Sequence, residues 1–200
     1  MGERGRPRGF DRDAVLRQAM IAFWSNGYEG TSMTDLTAAM GIASPSIYAC
    51  FGSKEQLFRA AVELYDSIVG NPARLALDHA PVAREAVHEL LCASADFYTD
   101  PATPPGCMVT LAARTTINQE AQAFLADLRR GLQAAIAARL RRAVDEGDLP
   151  AEATVDIMAA FYTTVQQGMS IQARDGATRT DLEAIVTAAM SAWEPLAGLH

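Results

Sequence analysis

Residues 31–57, TSMTDLTAAMGIASPSIYACFGSKEQL, decide how the chain folds. Met33, Leu36, Ala39 and Met40 recur every three to four residues, which puts one apolar stripe on a helix. Gly41 follows, where a helix end needs a residue free to take positive φ. Ile42 and Ala43 complete a short turn. Ser44 then offers an N-cap, and Pro45 the first helical position, where a missing N–H costs nothing. The next helix, Ser46–Phe51, is short. It turns Ile47 and Phe51 inward and leaves Ser46, Tyr48, Ala49 and Cys50 towards solvent or a partner. Gly52 stops it. Ser53 caps a third helix, with Gln56 at the capping-box position. Two helices around a Gly-containing turn make a helix-turn-helix, and a DNA major groove is wide enough to admit the second.

Working outward, Asp11 is expected to cap a helix over 11–26, with Phe10 packing back on it. Val15, Leu16, Ala19, Met20, Ala22 and Phe23 give its inward face, Trp24 packs, and Gly27 ends it. These helices close one small core. The helix over 53–69 carries two adjacent stripes, Leu57, Ala61, Leu64, Ile68 and Phe58, Val62, Tyr65, Val69. Two apolar faces need two bodies, so this helix is the link between the head and whatever follows. Asn71-Pro72 ends it.

Residues 73–80 are weakly patterned and fit either helix or loop. Further helices are expected over 82–99, 107–117, 119–146, 151–173 and 180–194, the last capped by Thr180 with Glu183 three residues on. Asp100–Gly106, with three prolines and a glycine, is a loop. Arg139, Arg141 and Arg142 read as a solvated face suited to a helix C-terminus. No strand pattern occurs, so the fold is all-α with about nine helices. Between Ile157 and Ile171 no residue is charged, more apolar surface than one small core can cover.

The formal net charge of −7 over 200 residues looks wrong for a nucleic-acid binder. Its distribution is not: residues 1–59 carry +1 and residues 60–200 carry −8. Arg4, Arg6 and Arg8 face only Glu3, and such an arm either tracks phosphate and the minor groove or is a solvated tail. No apolar run reaches the roughly 18 residues of a membrane span, and the N-terminus has no secretory signal. Three separated cysteines, Cys50, Cys92 and Cys107, make neither a disulfide framework nor a metal pattern, so a reducing cytoplasm, on the nucleoid, is the expected home. The histidines stand apart, and no catalytic constellation, phosphate loop, metal site or cofactor is expected. Cys107, after Pro-Gly at a helix start, is either a dipole-activated thiol or a small buried residue.

The order Thr31-Ser32-Met33, Asp35-Leu36, Gly41-Ile42-Ala43, Ser46-Ile47-Tyr48, Phe51 and Lys54-Glu55-Gln56-Leu57 closely resembles the signature of the tetracycline-repressor (TetR) family, over about residues 11–61. The resemblance implies a DNA-binding domain over 1–52 and an effector-binding and dimerisation domain over 53–200. It also implies a homodimer on a palindromic double-stranded operator that a small molecule releases. Carried over, Thr34, Ser44, Pro45, Ser46, Tyr48 and Lys54 contact the operator. Many relatives have His before the Phe of the second motif helix; this chain has Cys50, so no phosphate contact is expected there. The motif helix has no Arg, Asn or Gln, so readout leans on phosphates and DNA shape.

The expected pocket lining is Phe58, Val62, Tyr65, Met108, Leu111, Thr115, Phe124, Leu128, Phe161, Tyr162 and Gln166, aromatic and apolar with a few directing polar groups. The expected dimer face is Val155, Met158, Val165, Met169, Leu182, Ile185, Val186, Ala189 and Trp193. Two other readings share these residues: a DNA-binding dimer without a ligand, and a helical enzyme with no recognisable site.

Overall fold

The computed structural model describes residues 10–112 and 118–198. Within them lie α1 (Arg12–Gly30), α2 (Met33–Met40), α3 (Ser44–Phe51), α4 (Lys54–Tyr65), a π turn (Asp66–Gly70), α5 (Asn71–His79) and α6 (Ala83–Tyr98). Then come α7 (Met108–Ala112), α8 (Gln119–Glu146), α9 (Val155–Arg174), α10 (Arg179–Met190) and α11 (Trp193–Ala197). Nine of these helices have eight residues or more, and no described residue is in a strand. The all-α expectation holds. None of the helices is long and apolar enough to cross a membrane.

Two apolar cores organise the chain. The first joins α1, α2, α3 and α4 through residues such as Phe23, Leu36, Ile47, Leu57 and Phe58. It continues into Met108 and Val109 of α7 and Ala121 and Leu125 of α8. The second gathers α5, α6, the rest of α8, α9, α10 and α11 around Leu90, Ile136, Tyr162, Leu182 and Trp193. Phe23, Tyr28 and Phe58 meet at 5.0–6.3 Å between ring centres, and lock α4 onto α1.

The helix-turn-helix forms where the pattern placed it, with one cap moved. Gly41 takes the left-handed conformation at φ 65° and ends α2. Ala43, not Ser44, is the N-cap of α3, and Ser44 opens the helix with Pro45 behind it. Ala39 is exposed; Leu36 and Met40 alone fill the core from α2. Ser32 and Asp35 form a full capping box: Ser32 Oγ accepts the Asp35 N–H at 3.1 Å, and Asp35 accepts the Ser32 N–H at 2.8 Å. Ser32→Ala should therefore cost about 1 kcal/mol of stability, measured by urea unfolding. The Ser32 hydroxyl and N–H hold the Asp35 carboxyl below its ordinary range. A pKa lowered in the folded state gives stability above the ordinary carboxylate range, lost as pH falls through the lowered value.

Several sequence expectations need correction. Gly27, at φ 75° and ψ 173°, kinks α1 without ending it; helical turns resume to Gly30. Asn71-Pro72 does not end the linking helix. The π turn shifts its register, and Pro72 sits in the first turn of α5, where its missing N–H is harmless. Thr178 with Asp181, not Thr180 with Glu183, caps α10; the two Thr-x-x-acid patterns overlap by two residues. Ser53 Oγ accepts the Gln56 N–H at 3.1 Å as half a box.

Arg139 is not on a solvated face. It is 2% exposed and donates from Nη2 to the carbonyls of Ala80, at 3.2 Å, and Pro81, at 3.4 Å. It ties the turn between α5 and α6 to α8. Arg141 and Arg142 are surface residues paired with Asp156 and Asp78. The start of α6 is capped from far away, its Ala83 N–H donating to Asp148 at 2.7 Å.

Candidate nucleic-acid interface and ligand cavity

One face of the head collects the residues that the motif singled out. α3 buries Ile47 and Phe51, four residues apart, and so turns Pro45, Tyr48 and Ala49 outward. Tyr48 is 47% exposed, high for a tyrosine that the core does not use. Thr34, in the first turn of α2, is exposed, and Ser44 and Ser46 are half-buried. Lys54 opens α4, where unpaired N–H groups favour an anion. Its ammonium stands 4.5 Å over the Tyr28 ring, which holds the side chain at the surface. Arg12, which the motif did not flag, lies 5.0 Å over the Phe51 ring at the end of α3. Only packing across the head brings it there. Arg4, Arg6 and Arg8 lie outside the described residues. Cys50 is half-buried on α3.

A cavity of about 300 Å³ opens between the end of α4, the π turn, α5, α6, α7, α8 and α9. Its apolar wall includes Ile68, Val69, Phe97, Val109, Leu128 and Leu132. Its polar groups are Tyr65, Asp66, Arg74, Ser94, Tyr98, Cys107, Thr110, Arg129, Gln166 and Gln167. Of the expected lining, Tyr65, Leu128 and Gln166 are present. Thr115 lies outside the described residues. The remainder are placed elsewhere. Phe58, Val62 and Met108 are buried in the first core. Phe124 carries the Arg59 guanidinium 4.5 Å above its ring. Leu111 borders a separate cleft beside Trp24. Phe161 and Tyr162 pack edge to face within the second core. Periodicity found apolar faces but not which core each face serves. The stretch 66–76, weakly patterned in sequence, supplies seven cavity residues.

The cavity's polar groups differ in how far they are already satisfied. Arg74 and Asp66 form a bidentate pair across the π turn, at 2.9 and 2.7 Å. Gln166 donates to the Tyr98 hydroxyl. Arg129 donates from Nη1 to the Val109 carbonyl at 3.3 Å. The Tyr65 hydroxyl is buried without a hydrogen-bond partner. Burial foremost pushes the Tyr65 and Tyr98 phenols well above their ordinary pKa, with the neighbouring Cys107 thiol adding to it. Both are therefore neutral hydrogen-bonding groups at any physiological pH. Cys107 is half-buried in this wall, its N–H donating to Ser170 Oγ at 2.7 Å.

The cavity touches the head directly. Trp24 of α1 packs edge-on to Tyr65 at 5.0 Å and stacks on Phe97 at 5.5 Å. Its indole N–H donates to the Gly106 carbonyl at 3.2 Å. Arg174 at the end of α9 donates to the Ser25 carbonyl at 2.5 Å. Trp24 is thus a tether as well as packing.

The expected dimer face divides. Met158, Met169, Leu182, Val186, Ala189 and Trp193 are at most 6% exposed in a single chain, inside its own core. They leave little surface for a partner, and Val155, Val165 and Ile185 are half-buried. α9 instead shows its other stripe outside, with Ile157 at 59% exposure and Thr164 exposed beside half-buried Phe161 and Gly168. Among the described residues no group of three His, Cys, Asp or Glu is arranged to hold a metal ion.

A profile described as "Bacterial regulatory proteins, tetR family" matches residues 15–61, the three-helix head and most of α4. The chain belongs to the TetR family and is a DNA-binding transcriptional regulator. It is 36% identical to the HTH-type transcriptional repressor ComR of Escherichia coli K12, across 96% of this chain and 93% of ComR. It is 30% identical to the repressor BdcR of the same organism, across 94% of this chain and 90% of BdcR. Among solved structures, a cysteine-substituted form of the TetR family regulator CifR, complexed with 26 bp of double-strand operator DNA, superimposes with a TM-score of 0.90. That match is 45% identical and covers 94% of this chain and all of CifR's.

Proposed function

We propose that this protein is a repressor that binds a palindromic operator as a homodimer and leaves it when a small molecule fills the cavity. Tyr65 carries the reading: it ends α4, lines the cavity and touches Trp24 of the head. The named repressors ComR and BdcR, and the operator complex of CifR, support the DNA half. The site of action is the cytoplasm, on chromosomal DNA.

In this reading residues 1–52 are the DNA-binding part, α4 is the link, and the remainder binds effector and partner. α3 enters the major groove, with Ser44, Pro45, Ser46 and Tyr48 towards the DNA. Thr34 and Lys54 hold phosphates on either side, and the arm with Arg4, Arg6 and Arg8 reaches the adjacent backbone or minor groove. Two-fold pairing through the outer stripe of α9, with α10 beside it, sets the two heads one helical turn apart, about 34 Å. Ile157 and Phe161 are its apolar centre, and the exposed Ala184 and Ala188 let the α10 backbones approach.

Release follows from the joint at α4. A ligand in the cavity presses on Tyr65, Phe97 and the π turn, and so on α4 and α1. Changing the separation of the heads by even a small amount costs one half-site its contacts. A preference of the ligand for the released state by ~2–3 kcal/mol loosens the operator about 30- to 150-fold. The test is footprinting of the purified protein on the DNA flanking its own gene, with a salt series. A protected palindrome is expected; absence of any specific complex at low salt would overturn the proposal.

Trp24→Phe keeps the stacking on Phe97 but removes the donor to Gly106. It should cost about 1 kcal/mol of stability and reduce the fold-release caused by effector. Unaltered release in a gel-shift titration would show that coupling runs through α4 alone.

A further inference from the structure

We infer that the cavity takes a carboxylate-bearing, mainly apolar small molecule whose carboxylate pairs with the Arg129 guanidinium. The inference rests on the cavity being the effector site and adds the chemistry of the effector.

The first argument is charge. Three groups of permanent or ready charge reach the cavity wall: Asp66, Arg74 and Arg129. Asp66 and Arg74 neutralise each other through two hydrogen bonds. Arg129 has a backbone carbonyl and no acidic partner among the described residues. The neighbouring stretch 113–117 contains no acid that might supply one. The wall therefore carries one uncompensated cation.

The second argument is what that cation experiences. Burial foremost, and then the adjacent Arg130, press the Arg129 guanidinium below its ordinary pKa. A guanidinium does not discharge in a protein, so the cost of its partial burial stays until an anion offsets it. A neutral apolar ligand would deepen that burial, and a cation would add repulsion. A carboxylate matches the flat fork of donors with two charge-assisted hydrogen bonds.

The third argument is a second donor. The Tyr65 hydroxyl is buried, the side chain is 2% exposed, and the oxygen has no partner. Cys107 lies close enough to influence both Tyr65 and Arg129, which places the two donors around one end of the cavity. A phenol kept neutral by burial has a proton to give to an anion. Ile68, Val69, Leu128 and Leu132 then enclose an apolar body. About 300 Å³ suits a molecule of roughly ten heavy atoms.

The experiment uses the full-length protein and two matched series, octanoate with octanol and octylamine, and 3-phenylpropionate with its alcohol and amine. Thermal-shift and calorimetric titrations compare wild type, Arg129→Gln and Arg129→Lys. We expect saturable binding of at least one carboxylate, tenfold or more tighter than its alcohol, with no binding of the amine. Arg129→Gln should weaken the carboxylate tenfold or more, and Arg129→Lys by an intermediate factor because charge remains without the fork. Melting of each unliganded variant checks its fold, and Arg129→Lys serves if Arg129→Gln does not fold. Alcohols binding as tightly as acids, acids binding the variants at wild-type affinity, or no acid binding at all would each overturn the inference. The effector-site reading is tested apart from it, by filling the cavity with Leu132→Trp. If an alcohol binds, releases the operator and is blocked by Leu132→Trp, the effector site stands and the carboxylate fails.

Discussion

Lys54→Ala should weaken operator binding about 30-fold for the dimer. Each copy contributes roughly 1 kcal/mol from one charge-assisted phosphate contact, and two copies give about 2 kcal/mol, where 1.4 kcal/mol is tenfold. The structure explains why one lysine counts. Lys54 makes no salt bridge among the described residues, so its charge is not spent at home. Its ammonium is held over the Tyr28 ring, which lowers the entropy lost on contact. It also stands at the start of α4, where the helix end adds positive potential. The same substitution should flatten the salt dependence: each lost phosphate contact removes about 0.9 from the log–log slope, so two remove about 2. A gel-shift salt series reads both numbers. Weaker binding with an unchanged slope would mean that Lys54 supports the head without touching DNA.

Gly106→Ala should cost about 3 kcal/mol of stability, and lower Tm by about 6–12 °C for a chain of this size. Gly106 has φ +80°, a conformation that costs an L-residue about 1–2 kcal/mol. A Cβ there would lie 2.5 Å from the Ser170 carbonyl oxygen and 2.9 Å from Leu111 Cδ1. The first is backbone of α9 and cannot swing aside, so overpacking adds about 1–3 kcal/mol. The position is crowded because three elements meet on it. Its N–H donates to the Tyr98 carbonyl at 3.0 Å, its own carbonyl takes the Trp24 indole, and the next N–H takes Ser170. Gly106→Ala would thus strain the seam between head and cavity as well as the loop. Calorimetry of the variant reads the loss; a change in Tm of under two degrees would mean that the loop moves without cost.

The two substitutions differ in what sequence could say of them. Lys54 was legible because a helix-turn-helix followed by a Ser-capped helix is a local pattern. Each of its signals (Gly41, Pro45, Gly52, Ser53) acts within four residues of itself. Gly106 was legible only as part of a loop. That its missing Cβ faces α9 depends on a residue 64 positions away.

The sequence by itself determined the all-α class, the helix-turn-helix, the side of α3 that faces outward and the length of α8 with its Asn118 and Gly147 ends. Those features follow from periodicity and end signals, which are short-range. Tertiary structure alone decided which of two apolar stripes on α9 faces inward. Both satisfy the same helical spacing, and burying Met158, Tyr162 and Met169 left Ile157 outside. It decided that Arg139 is a buried tie and not a surface charge, because carbonyls at Ala80 and Pro81 were waiting for it. It also turned the plain stretch 66–76 into a cavity wall, by a π turn that no propensity announces. A helix face knows its own pattern; which neighbour it meets is set by chain segments far away in sequence.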